Sequence, residues 1–202
     1  PLPVFGPPPT AAFMDRLFGE PHGAYYPDWR ARLETPASLV LHVARGGTLP
    51  RTPPAFTVVE PGPGWVYQDD RLRVTAATLH HVEPWLQSLG YRFETPGGTV
   101  VFTGDAGASP ALDALCQGAD VLVLCCAYGW RKGLAPEVAH CVTGVEDAAR
   151  IAAASGARLV ILDHCNRDVV RPGKRERYLS HIGQHYAGRF ILADELHSYE
   201  LD

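Results

Sequence analysis

Apolar and polar residues alternate from Leu72 to Leu79, with one break at Ala76-Ala77, while Thr99–Thr103, Asp120–Cys126 and Arg158–Leu162 are almost unbroken apolar runs. A period of two marks a half-buried strand, and a short continuous run bounded by turn residues marks a strand covered on both faces. The first half of the chain reads mostly as strands, at Leu2–Phe5, Ser38–Val43, Ala55–Glu60, Trp65–Tyr67, Leu72–Leu79, Tyr91–Glu94 and Thr99–Thr103. Thr95-Pro-Gly-Gly98 joins the last two as a hairpin. Thr10 is placed to cap a helix through Phe18, and a short helix near Trp29–Leu33 interrupts an otherwise irregular stretch. This half reads as a β meander, one half of a sheet sandwich.

After Asp105 the period changes. Ser109-Pro110 supplies a cap and a first-turn proline for a helix ending at Gly118, and strand Asp120–Cys126 follows. Thr143-Gly-Val-Glu146 reads as a capping box opening an alanine-rich helix to Gly156, followed by strand Arg158–Leu162. A helix over Gly173–Tyr186 and a strand at Phe190–Ala193 close the chain. Alternating helices and strands with short joins imply parallel crossovers and an α/β class.

At 202 residues the expectation is one domain over 1–202. The 22 acidic and 18 basic residues leave a net charge of -4, and no Lys/Arg-rich run stands out as a broad nucleic-acid or membrane surface. The apolar runs are strand-sized, too short for a membrane helix. The start, Pro-Leu-Pro-Val-Phe-Gly-Pro-Pro-Pro, lacks the features of a signal peptide and reads as mid-domain. Cys116, Cys125, Cys126, Cys141 and Cys165 are odd in number and form no C-x-x-C, so free thiols in a reducing cytoplasm are expected.

The candidate chemistry lies at strand ends. Gly104-Asp105 delivers a carboxylate to a sheet rim, His80-His81 ends the alternating strand, and Asp163-His164 ends an apolar one. His81, Asp105 and His164 together form a borderline-metal donor set suited to zinc, with manganese or iron as the alternatives. His140, just before the capping box, reads either as a residue preceding a helix cap or as an acid near a helix N-terminus. His181 and His185 lie four apart in the last helix without the glutamate of a zincin, and read as a solvated face. Pro61-Gly-Pro-Gly64 lacks phosphate-loop spacing, and Cys141 and Cys165 read as small hydrophobes.

The order His81, Gly90-Tyr-Arg-Phe93, Val101-Phe-Thr-Gly-Asp105, Gly118-Ala-Asp120, His140-x-x-Thr143 and Leu162-Asp-His164 resembles the metallo-β-lactamase superfamily, in its ribonuclease Z and arylsulfatase-like branch. The resemblance implies a four-layer αβ/βα sandwich, here without its N-terminal strands. It implies a hydrolase in which a hydroxide bridging two metals attacks an ester, lactone, sulfate or phosphodiester. His81 would serve the first metal, Asp105 would bridge both as a catalytic carboxylate, and His164 would serve the second. His140 would be a catalytic histidine protonating the leaving group or contacting phosphate. The His-x-His-x-Asp-His motif of the family is absent from these 202 residues, so the chain alone is expected to be inactive. Leu124-Cys-Cys-Ala127 stands where members commonly carry His-Glu, leaving an expected acid out. Only residues 82 to 104, 23 in all, separate His81 from Asp105. A long tRNA-binding arm has no room there. The favoured substrate is therefore a small molecule, with tRNA 3′ processing and a metal-free binding module as rivals. No membrane partner is expected, and a homodimer is the assembly to test.

Overall fold

The computed structural model describes residues 1–200 except Pro63 and Trp65, together with all of Val66 but its side chain. The predicted strand start at Trp65 lies outside the described residues. The chain divides into two compact units, Pro1–Pro61 and Gly62–Asp202.

In the first unit, β1 (Leu2–Phe5) pairs in parallel with β2 (Phe56–Val59), and α1 (Thr10–Phe18), α2 (Tyr26–Glu34) and α3 (Pro36–Ala44) lie between them in sequence. The predicted strand Ser38–Val43 is instead most of α3. Pro36 sits in the first turn with its φ preset for a helix, and a short apolar run such as Leu39-Val-Leu41 is compatible with either structure. Thr10 does not cap α1. It is the first helical residue, and its hydroxyl donates to the Pro7 carbonyl at 2.5 Å.

The second unit holds β3 (Val66–Gln68), β4 (Arg73–Leu79), β5 (Ser88–Thr95), β6 (Gly98–Phe102), β7 (Val121–Cys125), β8 (Leu159–Asp163) and β9 (Arg189–Leu192). They form one seven-stranded sheet in sequence order, antiparallel from β3 to β6 and parallel from β6 to β9. Meander and crossovers are thus halves of a single mixed sheet. The hairpin closes as expected, with Thr95 opposite Gly98.

The crossovers carry α4 (Pro110–Cys116), α5 (Pro136–Cys141), α6 (Val145–Ser155) and α7 (Lys174–His185). Their core includes Leu112, Leu122, Ile151, Val160 and Ile182, all essentially inaccessible. Each such side chain contributes about 1.5–3 kcal/mol by leaving water. Ala148, Ala149 and Ala152 line the buried face of α6, where small side chains let backbones approach closely. Ser109 caps α4 as predicted, accepting from Leu112 N–H at 3.2 Å.

The capping box of α6 is shifted by one residue from the predicted Thr143/Glu146. The N-cap is Gly144, and Asp147 reaches back to its N–H at 3.3 Å. Thr143 is diverted because its hydroxyl donates to the Cys125 carbonyl at 2.6 Å, and Glu146 accepts from Arg131 N–H. The short α5, which carries His140, has too few turns to leave a periodic signal and was absent from the sequence prediction.

Candidate metal centre

One edge of the mixed sheet gathers the strand ends that matter. Strands β6, β7 and β8 are parallel, and β4, two antiparallel steps from β6, points the same way. The C-terminal ends of β4, β6, β7 and β8 therefore share one rim, which is where open α/β sheets hold ligands. His80-His81, Asp105, Cys126 and His164 all follow these ends.

The loops are tied together by backbone. Gly107 N–H donates to the His80 carbonyl at 2.8 Å, joining the Asp105 loop to the end of β4. A Cβ on Gly107 would fall 1.7 Å from the His140 carbonyl oxygen, so only glycine permits the third segment, α5, to approach. Ala127 N–H donates to the Thr143 carbonyl and Cys126 N–H to that of Asp163, fastening the ends of α5 and β8 to β7.

Among the residues expected from sequence, Asp105 and His164 meet directly, with Oδ1 3.4 Å from Nδ1. Both are exposed. His164 has φ +54 in the left-handed region, a conformation that costs a non-glycine residue about 1–2 kcal/mol. His81 Nδ1 lies 2.8 Å from the Cys141 carbonyl. A carbonyl only accepts, so Nδ1 carries the proton and Nε2 presents its lone pair, the orientation typical of a metal-bound imidazole. The donor types of all three suit a borderline divalent metal, but among the described residues only Asp105 and His164 are brought together, and His81 does not join them in a compact ligand cluster.

A compact set of three donors lies beside them and was not predicted. Among the described residues, His80, Glu83 and His140 offer ligand atoms all within 4.8 Å of one another. Glu83 is the hub. Its Oε1 is 3.0 Å from His80 Nδ1, its Oε2 accepts from His81 N–H at 3.1 Å, and Oε2 is 3.8 Å from His140 Nε2. Its own backbone N–H holds its carboxyl below the usual glutamate range, burial opposes this, and the His81 N–H and the His80 ring add to the lowering. The available sequence signal was Glu83 three residues after His80, at the start of a turn in which Trp85 N–H donates to the Val82 carbonyl.

The cysteines are all free. Hydrogen bonding to Cys165, then burial, pushes the Cys126 thiol far up, and the bond from Cys126 lowers Cys165. Cys165 also faces the carbonyls of Leu162 and Asp163. His181 and His185 pack ring to ring at 4.7 Å, with Trp130 4.9 Å from His181.

Beyond His164, residues 167–177 carry Arg167, Arg171, Lys174, Arg175 and Arg177 against only Asp168 and Glu176. Arg167, Asp168, Val170, Arg171 and Pro172 line a hollow of about 700 Å³. Asp168 is tied to Lys174 and Tyr178 and is lowered by those bonds.

Residues 27–165 match the family described as the beta-lactamase superfamily domain. A ribonuclease Z from Mycolicibacterium paratuberculosis is 29% identical over the whole chain, which spans 68% of that protein. Among solved structures, the metallo-beta-lactamase fold protein YhfI from Bacillus subtilis has a TM-score of 0.62 at 16% identity, with 95% of this chain and 62% of that one covered. Human tRNase Z, short form, has a TM-score of 0.56 at 15% identity, with coverage of 98% and 66%. The chain thus spans about two thirds of the length of these proteins. Among the described residues no helix is long and apolar enough to cross a membrane.

Proposed function

We propose, for a chain that belongs to the metallo-β-lactamase superfamily, the role of a metal-dependent phosphodiesterase of the ribonuclease Z kind. The observation that carries this reading is the Asp105–His164 pair on the strand-end rim, together with a His81 whose Nε2 is left free to bind. His81, Asp105 and His164 would hold a divalent metal, zinc in the first instance. When bound there, a metal pair stabilises charge on phosphoryl oxygens and provides a nucleophile at neutral pH. Three protein donors are too few for two closed sites. The chain spans about two thirds of its relatives, so we read it as part of a domain completed by further ligands.

His140 would deliver a proton to the leaving oxygen, with the Glu83 carboxylate 3.8 Å from its Nε2. Glu83 thereby supplies an acid where Cys125-Cys126 offers none. The ribonuclease relatives and the basic segment after His164 favour a phosphate chain over a neutral ester. This reverses the preference drawn from the short His81–Asp105 interval. A small phosphodiester is the second reading, favoured by that same lack of room for a tRNA-binding arm. Five free thiols suit a reducing, cytoplasmic setting.

The test is elemental analysis of the whole protein, together with cleavage of a tRNA precursor with a 3′ extension and of bis(p-nitrophenyl) phosphate. About two metal equivalents, reduced in Asp105→Ala, and cleavage at the trailer are expected. Cleavage of the small diester alone selects the second reading. Absence of metal after supplementation refutes both.

A further inference from the structure

We propose that His80, Glu83 and His140 form a separate binding site for a zinc-class cation, independent of the ligand set His81, Asp105 and His164. Two imidazoles and one carboxylate are a donor set matched to borderline divalent metals. Zinc bonds of about 2.0–2.1 Å in tetrahedral geometry place neighbouring ligand atoms about 3.3–3.4 Å apart. Here one ligand atom from each residue lies within 4.8 Å of the others, with His80 Nδ1 3.0 Å from Glu83 Oε1 and His140 Nε2 3.8 Å from Glu83 Oε2. The His80 and His140 rings lie 4.6 Å apart and are tilted by 45°.

The scaffold beneath is already ordered. The His80 carbonyl accepts from Gly107, Glu83 accepts from His81 N–H, and the His140 carbonyl rests against Gly107. All three side chains are open to solvent for entry and exit of the ion. The donors are also distinct from the neighbouring set. Asp105 and His164 face each other, and His81 is turned to the Cys141 carbonyl.

Occupancy has a consequence that rests on the function proposed above. A cation on His140 takes up the lone pair that would carry its proton, so excess zinc inhibits the enzyme.

The experiment is a Co²⁺ titration of the purified protein by calorimetry and visible absorption, with folding of each variant checked by thermal melting. Glu83→Gln and His80→Gln are expected to weaken one binding event at least about tenfold, while Asp105→Asn leaves that event in place. Zn²⁺ added to the unsubstituted protein should shift the ring resonances of His80 and His140 and spare those of His185. An affinity unchanged in Glu83→Gln, or an absence of shifts at His80 and His140, overturns the proposal. Hydrolysis of bis(p-nitrophenyl) phosphate at rising Zn²⁺ then separates the two ideas. Inhibition relieved by His80→Gln supports both, whereas binding at this site without inhibition keeps the cation site and overturns the proton role of His140.

Discussion

Replacing Gly107 with alanine tests whether the rim is held together by a backbone contact that no larger residue allows. The added Cβ would sit 1.7 Å from the His140 carbonyl oxygen and 2.6 Å from its carbon. Ordinary carbon–oxygen contact begins well beyond 3 Å, and the obstructing atoms are main chain, so either the Asp105 loop or α5 must withdraw by more than an ångström. Withdrawal stretches the Gly107 to His80 hydrogen bond, now 2.8 Å, and the His81 to Cys141 bond, also 2.8 Å. Overpacking of this kind costs about 1–3 kcal/mol. For a chain of this size each kcal/mol lowers the melting temperature by about 2–4 °C, giving a fall of about 2–12 °C. Gly97→Ala is the control, because its Cβ would meet nothing closer than the Thr95 hydroxyl at 3.7 Å. That variant should melt within about 2 °C of the parent, consistent with the small effects of compatible Gly→Ala changes. Thermal melts followed by circular dichroism, paired with Co²⁺ titration, measure both effects. A Gly107→Ala protein with unaltered melting and unaltered metal affinity would refute the reasoning.

His164→Gly should raise the melting temperature of the metal-free protein, because removing the side chain from φ +54 relieves about 1 kcal/mol of strain. A lower melting temperature would show that the His164 side chain supports the fold instead. The Asp168 carboxyl is held below the usual range by Lys174 and then Tyr178, so its stabilising contribution is present above the unfolded carboxylate pKa and is lost as pH falls through the native value. The melting difference between the parent and Asp168→Asn should therefore be visible at pH 7 and fade progressively as pH falls below about 4. A difference that persists in acid would mean that Asp168 acts through packing rather than charge.

The elements most legible in the sequence were those whose burial leaves no choice of period. Strands β7 and β8 are covered on both faces, and their apolar runs located them within a residue. Helix α6 was equally plain because buried alanines recur along one face. Segment α3 was misread because its apolar residues are not organised by burial. Val40, Leu41 and Val43 are 68%, 56% and 50% exposed, so no core imposes a period on them. Local backbone preference decided the outcome, and the telling residue was Pro36 rather than the hydrophobic run.

The site divides along the same physical line. Asp105 and His164 could be located because each ends a buried strand, and strand ends on one sheet edge are necessarily neighbours. Their 3.4 Å approach follows from topology. Glu83 and the role of Gly107 were not legible, since both depend on contacts between loops that no periodicity encodes. Glu83 meets His140 only because Gly107 brings α5 against the end of β4, joining residues 57 positions apart. The position of His140 is thus set by a glycine in the Asp105 loop and its charge partner by a turn after β4. Replacing Glu83 should therefore weaken metal binding at His140 while leaving the Asp105–His164 pair in place.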